Sequence, residues 1–207
     1  MKIPDGDFAA YIFDCDGTLA DTMPLHYKAW CAALREHRAD FPEALFYELG
    51  GMPTLEIVEL LNERHGYALD PAATAREKGR LFLSMLAEIK PIEPVVAIMK
   101  AVRGRLPLAV ASGGHREVVT RTLTALGLID AFDAIVCSED YARGKPFPDP
   151  FLVAAKRLRV EPERCLVFED TKTGEQAALA AGMQCVLVPP AERVCALHAA
   201  VASQSSG

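Results

Sequence analysis

Asp14 and Asp16 stand two residues apart, directly behind the apolar run Tyr11-Ile12-Phe13 and ahead of Gly17 and Thr18. Two carboxylates this close are costly unless something positive sits beside them. A hard divalent cation with oxygen ligands answers that need, and Mg²⁺ is the default. An aspartate is also a nucleophile toward phosphorus. A second carboxyl nearby can protonate the leaving oxygen and later activate water. The plainer alternative is a pair that caps a turn. A second acidic pair, Glu169-Asp170, follows Leu166-Val167-Phe168. Asp170 suits a metal shell, and Glu169 either ligates directly or supports from behind.

Two further segments carry compatible chemistry. In Ala111-Ser112-Gly113-Gly114 a hydroxyl and successive glycine N–H groups precede a helical pattern. That makes a cradle for phosphate oxygens, and equally an ordinary turn with an N-cap. In the stretch Arg143-Gly144-Lys145-Pro146-Phe147-Pro148-Asp149-Pro150, two prolines restrict the backbone around Lys145. They aim its ammonium into the site to balance charge, or leave a solvated lysine on a rigid loop. Asp149 reads as the N-cap of the next helix, with Pro150 at its first position. Thr171 and Thr173 read as caps of a later helix, and Gly174 as the residue that lets it approach the sheet. Each later segment is ambiguous alone. Their joint occurrence, each behind an apolar run and in this order, is not.

The elements that must position these residues are legible as well. Residues 9–15, 106–112, 134–138, 165–169 and 184–188 are short runs apolar on consecutive positions, as in a sheet covered on both faces. Between them Val95, Ile98, Met99 and Val102 keep helical spacing, as do Val119, Thr122, Leu123 and Leu126, and Phe151, Ala154, Ala155 and Leu158. Strand alternating with helix predicts an α/β fold with a doubly wound parallel sheet. In such a sheet ligands bind beyond the carboxyl ends of the strands, where the polar residues above stand. The first two strands break the rhythm, because far more chain separates them than one crossover helix needs. Trp30, Ala33, Leu34 and His37 share one face there, and Phe82, Met85, Leu86 and Ile89 another. Residues 53–65 enter on Pro53 and carry Ile57, Leu60 and Leu61. Residues 23–90 are therefore expected to form an all-helical cap domain inserted after the first strand, with residues 1–22 and 91–207 forming the core. Hinges are expected at 20–24 and 90–94.

Composition bounds the partners. The chain has 207 residues and a formal charge of −6, which disfavours a nucleic acid partner but not a small phosphorylated one. Cysteines at 15, 31, 137, 165, 185 and 195 form no metal-ligand spacing, and several sit inside apolar runs. They read as reduced thiols of a cytoplasmic protein. The opening residues carry no signal-peptide pattern, no apolar run is long enough to span a bilayer, and residues 203–207 read as a disordered tail. A monomer without nucleic acid or membrane partners is expected.

Asp14-Cys15-Asp16-Gly17-Thr18, Ser112, Lys145 and Glu169-Asp170 resemble the four motifs of the haloacid dehalogenase superfamily, over nearly the whole chain. Residues 13–30 and 168–183 are similar to its β-phosphoglucomutase-like branch. Asp21-Thr22-Met23-Pro24-Leu25-His26 and Gly51-Met52-Pro53-Thr54 look most like the fructose-1-phosphatase-type sugar phosphatases of that branch. The resemblance implies a Rossmann-like core, Mg²⁺ and a division of labour. Asp14 would attack phosphorus and ligate the metal. Asp16 would be general acid and base and lend its backbone carbonyl to the metal. Ser112 and Gly113, with Thr18, would bind the phosphoryl group, and Lys145 would neutralise charge. Asp170, with Glu169, would complete the metal site. His26 resembles a cap-hinge histidine and Lys78 a cap lysine that contacts substrate, although each also suits an ordinary helix. Where the mutases carry an Arg to grip a second phosphate, this chain reads Gly51-Met52-Pro53-Thr54, with Arg76 or Arg80 as substitutes. The expected activity is a Mg²⁺-dependent phosphatase for small sugar or polyol monophosphates, working through a phosphoaspartate. The competing readings are a β-phosphoglucomutase-type isomerase, a haloacid dehalogenase, which would need neither Mg²⁺ nor Asp16, and a non-catalytic binding protein.

Overall fold

The computed structural model describes residues 1–50 and 52–190. The expected tail at 203–207, Cys195 and Gly51 lie outside them. Five parallel strands make the main sheet: β1 (Ala10–Phe13), β4 (Leu108–Ala111), β5 (Ala134–Val136), β6 (Cys165–Glu169) and β7 (Gln184–Leu187). They lie in the order β5-β4-β1-β6-β7. The chain runs outward from β1 on one side, then crosses back to β6 on the other. That reversal beside the central strand is where an open α/β sheet leaves a crevice at its carboxyl end.

The strands are shorter than the apolar runs, and the difference lies mostly at the functional end. Asp14, Ser112 and Val188 fall just outside the strands, yet their N–H groups still reach Phe168 (2.9 Å), Val136 (3.0 Å) and Glu169 (2.6 Å) on the neighbouring strand. The backbone pairing thus runs up to Asp14 and Ser112 themselves. Successive side chains of β1 enter different cores. Tyr11 and Phe13 join Val95, Met99, Val119 and Leu123 on one face, covered by α5 (Glu93–Val102) and α6 (Arg116–Ala125). Ala10 and Ile12 join Phe151, Ala154, Ala177 and Ala178 on the other, covered by α7 (Asp149–Leu158) and α8 (Lys172–Ala180). Burial on both faces explains the unbroken apolar runs. The expected doubly wound parallel α/β fold is the one observed.

Thr22–Ile89 is a second compact unit, distinct from the one built on Met1–Asp21 and the chain from Lys90 onward. It contains α1 (Met23–Arg35), α2 (Glu43–Glu48), α3 (Thr54–His65) and α4 (Pro71–Ser84). Trp30, Leu34, Phe41, Phe46, Val58 and Leu61 form its core. α3 stops at Gly66, whose φ of 69° lets its N–H bond back to the Asn62 carbonyl. Two expected faces are corrected here. His37 lies past the end of α1 and is exposed. Of Phe82, Met85, Leu86 and Ile89, only Phe82 belongs to α4. Met85 donates to Phe82, which tightens the chain into a 3-10 turn over Leu86–Glu88. The expected hinges also hold a feature the pattern did not give. β2 (Ala20–Asp21) pairs antiparallel with β3 (Lys90–Pro91), Ala20 opposite Pro91 and Asp21 opposite Lys90. Among the described residues no helix is long and apolar enough to cross a membrane.

Candidate active site

Asp14 leaves the central strand, and its carboxylate is almost wholly buried. The chain then turns sharply through Gly17, whose φ is +82°. A Cβ there would lie 2.2 Å from Asp170 Oδ2, so both conformation and space demand glycine. Thr18, buried one residue later, donates its hydroxyl to Asp170 Oδ1 at 3.2 Å. Thr18 thus touches the acidic pair of the neighbouring strand.

Glu169 ends β6 and is 1% exposed. Its Oε1 accepts from Lys145 at 2.6 Å. Its Oε2 accepts from the Thr171 N–H at 2.6 Å and the Thr171 hydroxyl at 2.8 Å. Thr171 in turn caps α8 by accepting from the Gly174 N–H, as expected, whereas Thr173 lies inside the helix and donates to Thr171. The glycine is required: a Cβ at Gly174 would sit 2.0 Å from the Glu169 carboxyl.

Lys145 joins the two strands. Its ammonium lies 2.6 Å from Asp14 Oδ1 and 2.6 Å from Glu169 Oε1, with the side chain 12% exposed. It also sits 5.1 Å over the Phe151 ring. The solvated-lysine alternative is thereby removed. Asp149 does not cap α7, contrary to expectation. Pro148 holds the cap position, Asp149 is the first helical residue and Pro150 the second. The Asp149 carboxylate instead takes a bidentate pair from Arg143, at 2.9 and 3.2 Å, and Arg143 stacks 4.6 Å over Phe147. A charged fork outcompetes a backbone N–H for the carboxylate.

Ser112 follows β4 and is buried, and its Oγ accepts the Gly114 N–H at 3.0 Å. Gly113 is exposed beside it. A Cβ built on Gly114 would lie 3.3 Å from Ser112 Oγ and 3.7 Å from Asp16 Oδ2. The Asp16 carboxylate therefore faces the Ser112 turn, while Asp14 faces Lys145. His26 and Lys78 belong to the helical unit, where Lys78 Nζ lies 3.0 Å from His26 Nδ1 and the imidazole stacks on Phe82 at 3.9 Å.

Asp14, Glu169 and Asp170 offer oxygens within 4.8 Å of one another. Burial pushes Asp14 well above the usual carboxylate range, and Lys145 offsets this only in part. Burial and then the Glu169 charge push Asp170 up to about 7. Burial alone would lower Lys145, but the Asp14 and Glu169 charges outweigh it and hold the ammonium well above its ordinary value. Three carboxyl groups thus surround the Lys145 ammonium. An all-oxygen donor set fits a hard cation such as Mg²⁺. Three hydrogen bonds already engage both Glu169 oxygens, which makes Asp14 and Asp170 the better-placed donors and Glu169 the anchor of Lys145. The Asp16 carboxylate is not among the three clustered oxygens. Sequence reasoning missed the link from Thr171 to Glu169 and a contact from Tyr141 to the Ser112 carbonyl. An aromatic residue in an otherwise polar stretch was the only signal for the latter.

The profile of haloacid dehalogenase-like hydrolases matches residues 8–182. The chain is 41% identical to the fructose-1-phosphate phosphatase YqaB of Escherichia coli, over 86% of this chain and 95% of that protein. It is 33% identical to a phosphorylated carbohydrates phosphatase of Thermotoga maritima, over 84% and 82% respectively. A β-phosphoglucomutase of Clostridium difficile has a similar structure, with a TM-score of 0.77 at 26% identity, covering 91% of this chain and 87% of that one. With its four motifs gathered at one end of a parallel sheet and this profile spanning most of its length, the chain belongs to the haloacid dehalogenase-like hydrolase family.

Proposed function

We propose that this phosphatase hydrolyses small sugar or polyol monophosphates of the fructose-1-phosphate kind, through a phosphoaspartate on Asp14. The observation that carries the reading is the ammonium of Lys145 shared between Asp14 and Glu169. It holds a buried carboxylate in one rotation at the end of the central strand. Asp14 attacks phosphorus, the bond to the sugar oxygen breaks, and Asp16 gives that oxygen a proton. Asp16 then takes a proton from water as the water attacks the acyl phosphate, releasing inorganic phosphate and restoring Asp14. Ser112 and the Gly113 N–H hold the transferring oxygens. Lys145 limits the repulsion between carboxylate and phosphoryl group, so the catalysis is largely positioning and electrostatics. Mg²⁺, held by Asp14, Asp170 and the Asp16 carbonyl, supplies further positive charge to the phosphoryl oxygens when bound.

The sugar class rests on the two phosphatase relatives, with leaving-group selection assigned to His26 and Lys78 of the helical unit. A mutase reading draws on the β-phosphoglucomutase likeness. Against it, Arg80 is already engaged in a bidentate pair with Glu77, at 2.8 and 2.6 Å, which leaves it a poor substitute for a second-phosphate grip. The free thiols at Cys15, Cys31, Cys137, Cys165 and Cys185 suit a protein working in the cytoplasm.

Inorganic phosphate release from a panel of sugar monophosphates with Mg²⁺ tests the reading. Asp14→Asn is expected to lower release by at least about 10³-fold with the fold intact. If no sugar monophosphate releases phosphate but glucose 1- and 6-phosphates interconvert, the mutase reading replaces this one.

A further inference from the structure

We infer that Tyr141 is a positioning residue that sets the direction of the Gly113 N–H. The phenol of Tyr141 donates to the Ser112 carbonyl at 3.1 Å. That carbonyl belongs to the same planar peptide unit as the Gly113 N–H, on the opposite edge. Fixing one edge of the plane fixes the other. Gly113 has no Cβ and is exposed, and nothing lies within 4 Å of where a Cβ would stand, so side-chain packing does not restrain this peptide. On its N-terminal side the Ser112 N–H is held by Val136, and on its C-terminal side Ser112 Oγ accepts the Gly114 N–H. Tyr141 supplies the restraint in between.

The phenol does a second thing. A carbonyl that accepts a hydrogen bond polarises its peptide, which makes the N–H on the other edge a better donor. Tyr141 itself is well anchored for the task. Its ring packs with the core on the α7 face and lies 3.8 Å from a Cβ built on Gly144, next to Lys145. One side chain therefore ties the Ser112 turn to the lysine loop, and the two positive features of the site keep a common frame. Preorganised donors aimed at developing charge are costly to lose, and the residue that aims them shares that cost.

This inference rests on the reading of Gly113 as a phosphoryl contact, and its test separates the two. Tyr141→Phe removes the hydroxyl and keeps the ring. The Gly113 amide resonance is followed by heteronuclear NMR in wild type and variant, with and without inorganic phosphate and Mg²⁺, alongside steady-state kinetics. The expected result is a displaced Gly113 resonance, a smaller response to phosphate, and a kcat reduced about three- to tenfold with KM little changed. Thermal unfolding stays cooperative, with only the small downward shift that loss of one hydrogen bond brings. An unmoved Gly113 resonance with unchanged kcat overturns the inference. If the Gly113 resonance moves in Tyr141→Phe but neither protein releases phosphate from any ester, the peptide restraint stands and the phosphatase reading falls. Should Tyr141→Phe unfold, Tyr141→Leu keeps an apolar side chain at the position without a hydrogen-bond donor and is judged on the same resonance.

Discussion

Two lysines show how differently the two units of this chain hold a positive charge. Lys145 is clamped between carboxylates from two adjacent strands, each 2.6 Å away, and each carboxylate is itself fixed to a strand end. Lys78 stands on a helix, 3.0 Å from Nδ1 of the His26 imidazole and 5.7 to 5.9 Å from the Trp30 and Phe82 rings. Opposite charges at hydrogen-bond distance in a buried site leave little freedom. Aromatic faces attract an ammonium through a spread π surface, not through a single fixed oxygen. The first arrangement suits a charge that must meet the same phosphoryl group at every turnover.

The comparison is broken most directly at Lys145. Lys145→Ala leaves two buried carboxylates facing each other, so phosphate release is expected to fall on the order of 10²-fold or more. Stability should fall by about 3–5 kcal/mol, read by denaturant unfolding without metal. A variant as stable and active as wild type would mean that the clamp has no mechanistic weight.

Gly174→Ala attacks the same clamp from behind. The added methyl meets the Glu169 carboxyl, which must swing away from both Lys145 and Thr171. Stability is expected to fall by about 1–3 kcal/mol more than for other Gly→Ala changes of the core, with kcat down about tenfold. Gly79→Ala, in α4 with open space around it, is the control and should be neutral or slightly stabilising.

Lys78→Ala sharpens the other half. KM is expected to rise several-fold and the ranking of substrates to change, while kcat on the best substrate falls far less than for Lys145→Ala. A kcat loss equal to that of Lys145→Ala would erase the distinction between the two lysines.

The smallest expected effect is a pH dependence confined to the acidic end. Asp170 titrates near 7 in the folded chain, against an ordinary value of 3.8. Between these values the folded chain keeps a proton that the unfolded chain has released. Metal-free stability from this group is therefore full at low pH and is lost as pH rises through about 7. Thermal unfolding with a chelator should show a melting temperature a few degrees lower at about pH 8 than at about pH 5.5. Mg²⁺ should raise it more at the higher pH. Lys78→Ala should leave both trends unchanged, and a metal-free chain more stable at the higher pH would refute the account.

Much of this site was legible because the chemistry sits at strand ends. Unbroken apolar runs located the sheet, and three of the five ended at or beside the residues proposed to do chemistry, Asp14, Ser112 and Asp170. Long-range choices were not legible. Asp149 has the type and place of an N-cap, and only the folded loop reveals that Arg143 claims its carboxylate. Helical spacing from Phe82 to Ile89 persists past the point where the backbone tightens, because periodicity carries no stop signal there. The phenol of Tyr141 meets a carbonyl 29 positions earlier in the chain, and no local pattern encodes that partner. The two rungs of β2 and β3 are too short to show any alternation.

Those two rungs bear on how such enzymes diversify. Because Ala20 lies opposite Pro91 and Asp21 opposite Lys90, the chain departs from the core and rejoins it at one spot. In polymer terms everything in between is a ring closed by a short ribbon. The entropy of closing a ring grows only with the logarithm of its length, so doubling it costs about 0.6 kcal/mol. The catalytic scaffold could therefore accept a shorter, longer or wholly different excursion at this junction with little thermodynamic penalty, leaving substrate choice free to drift while the phosphoryl chemistry stays in place.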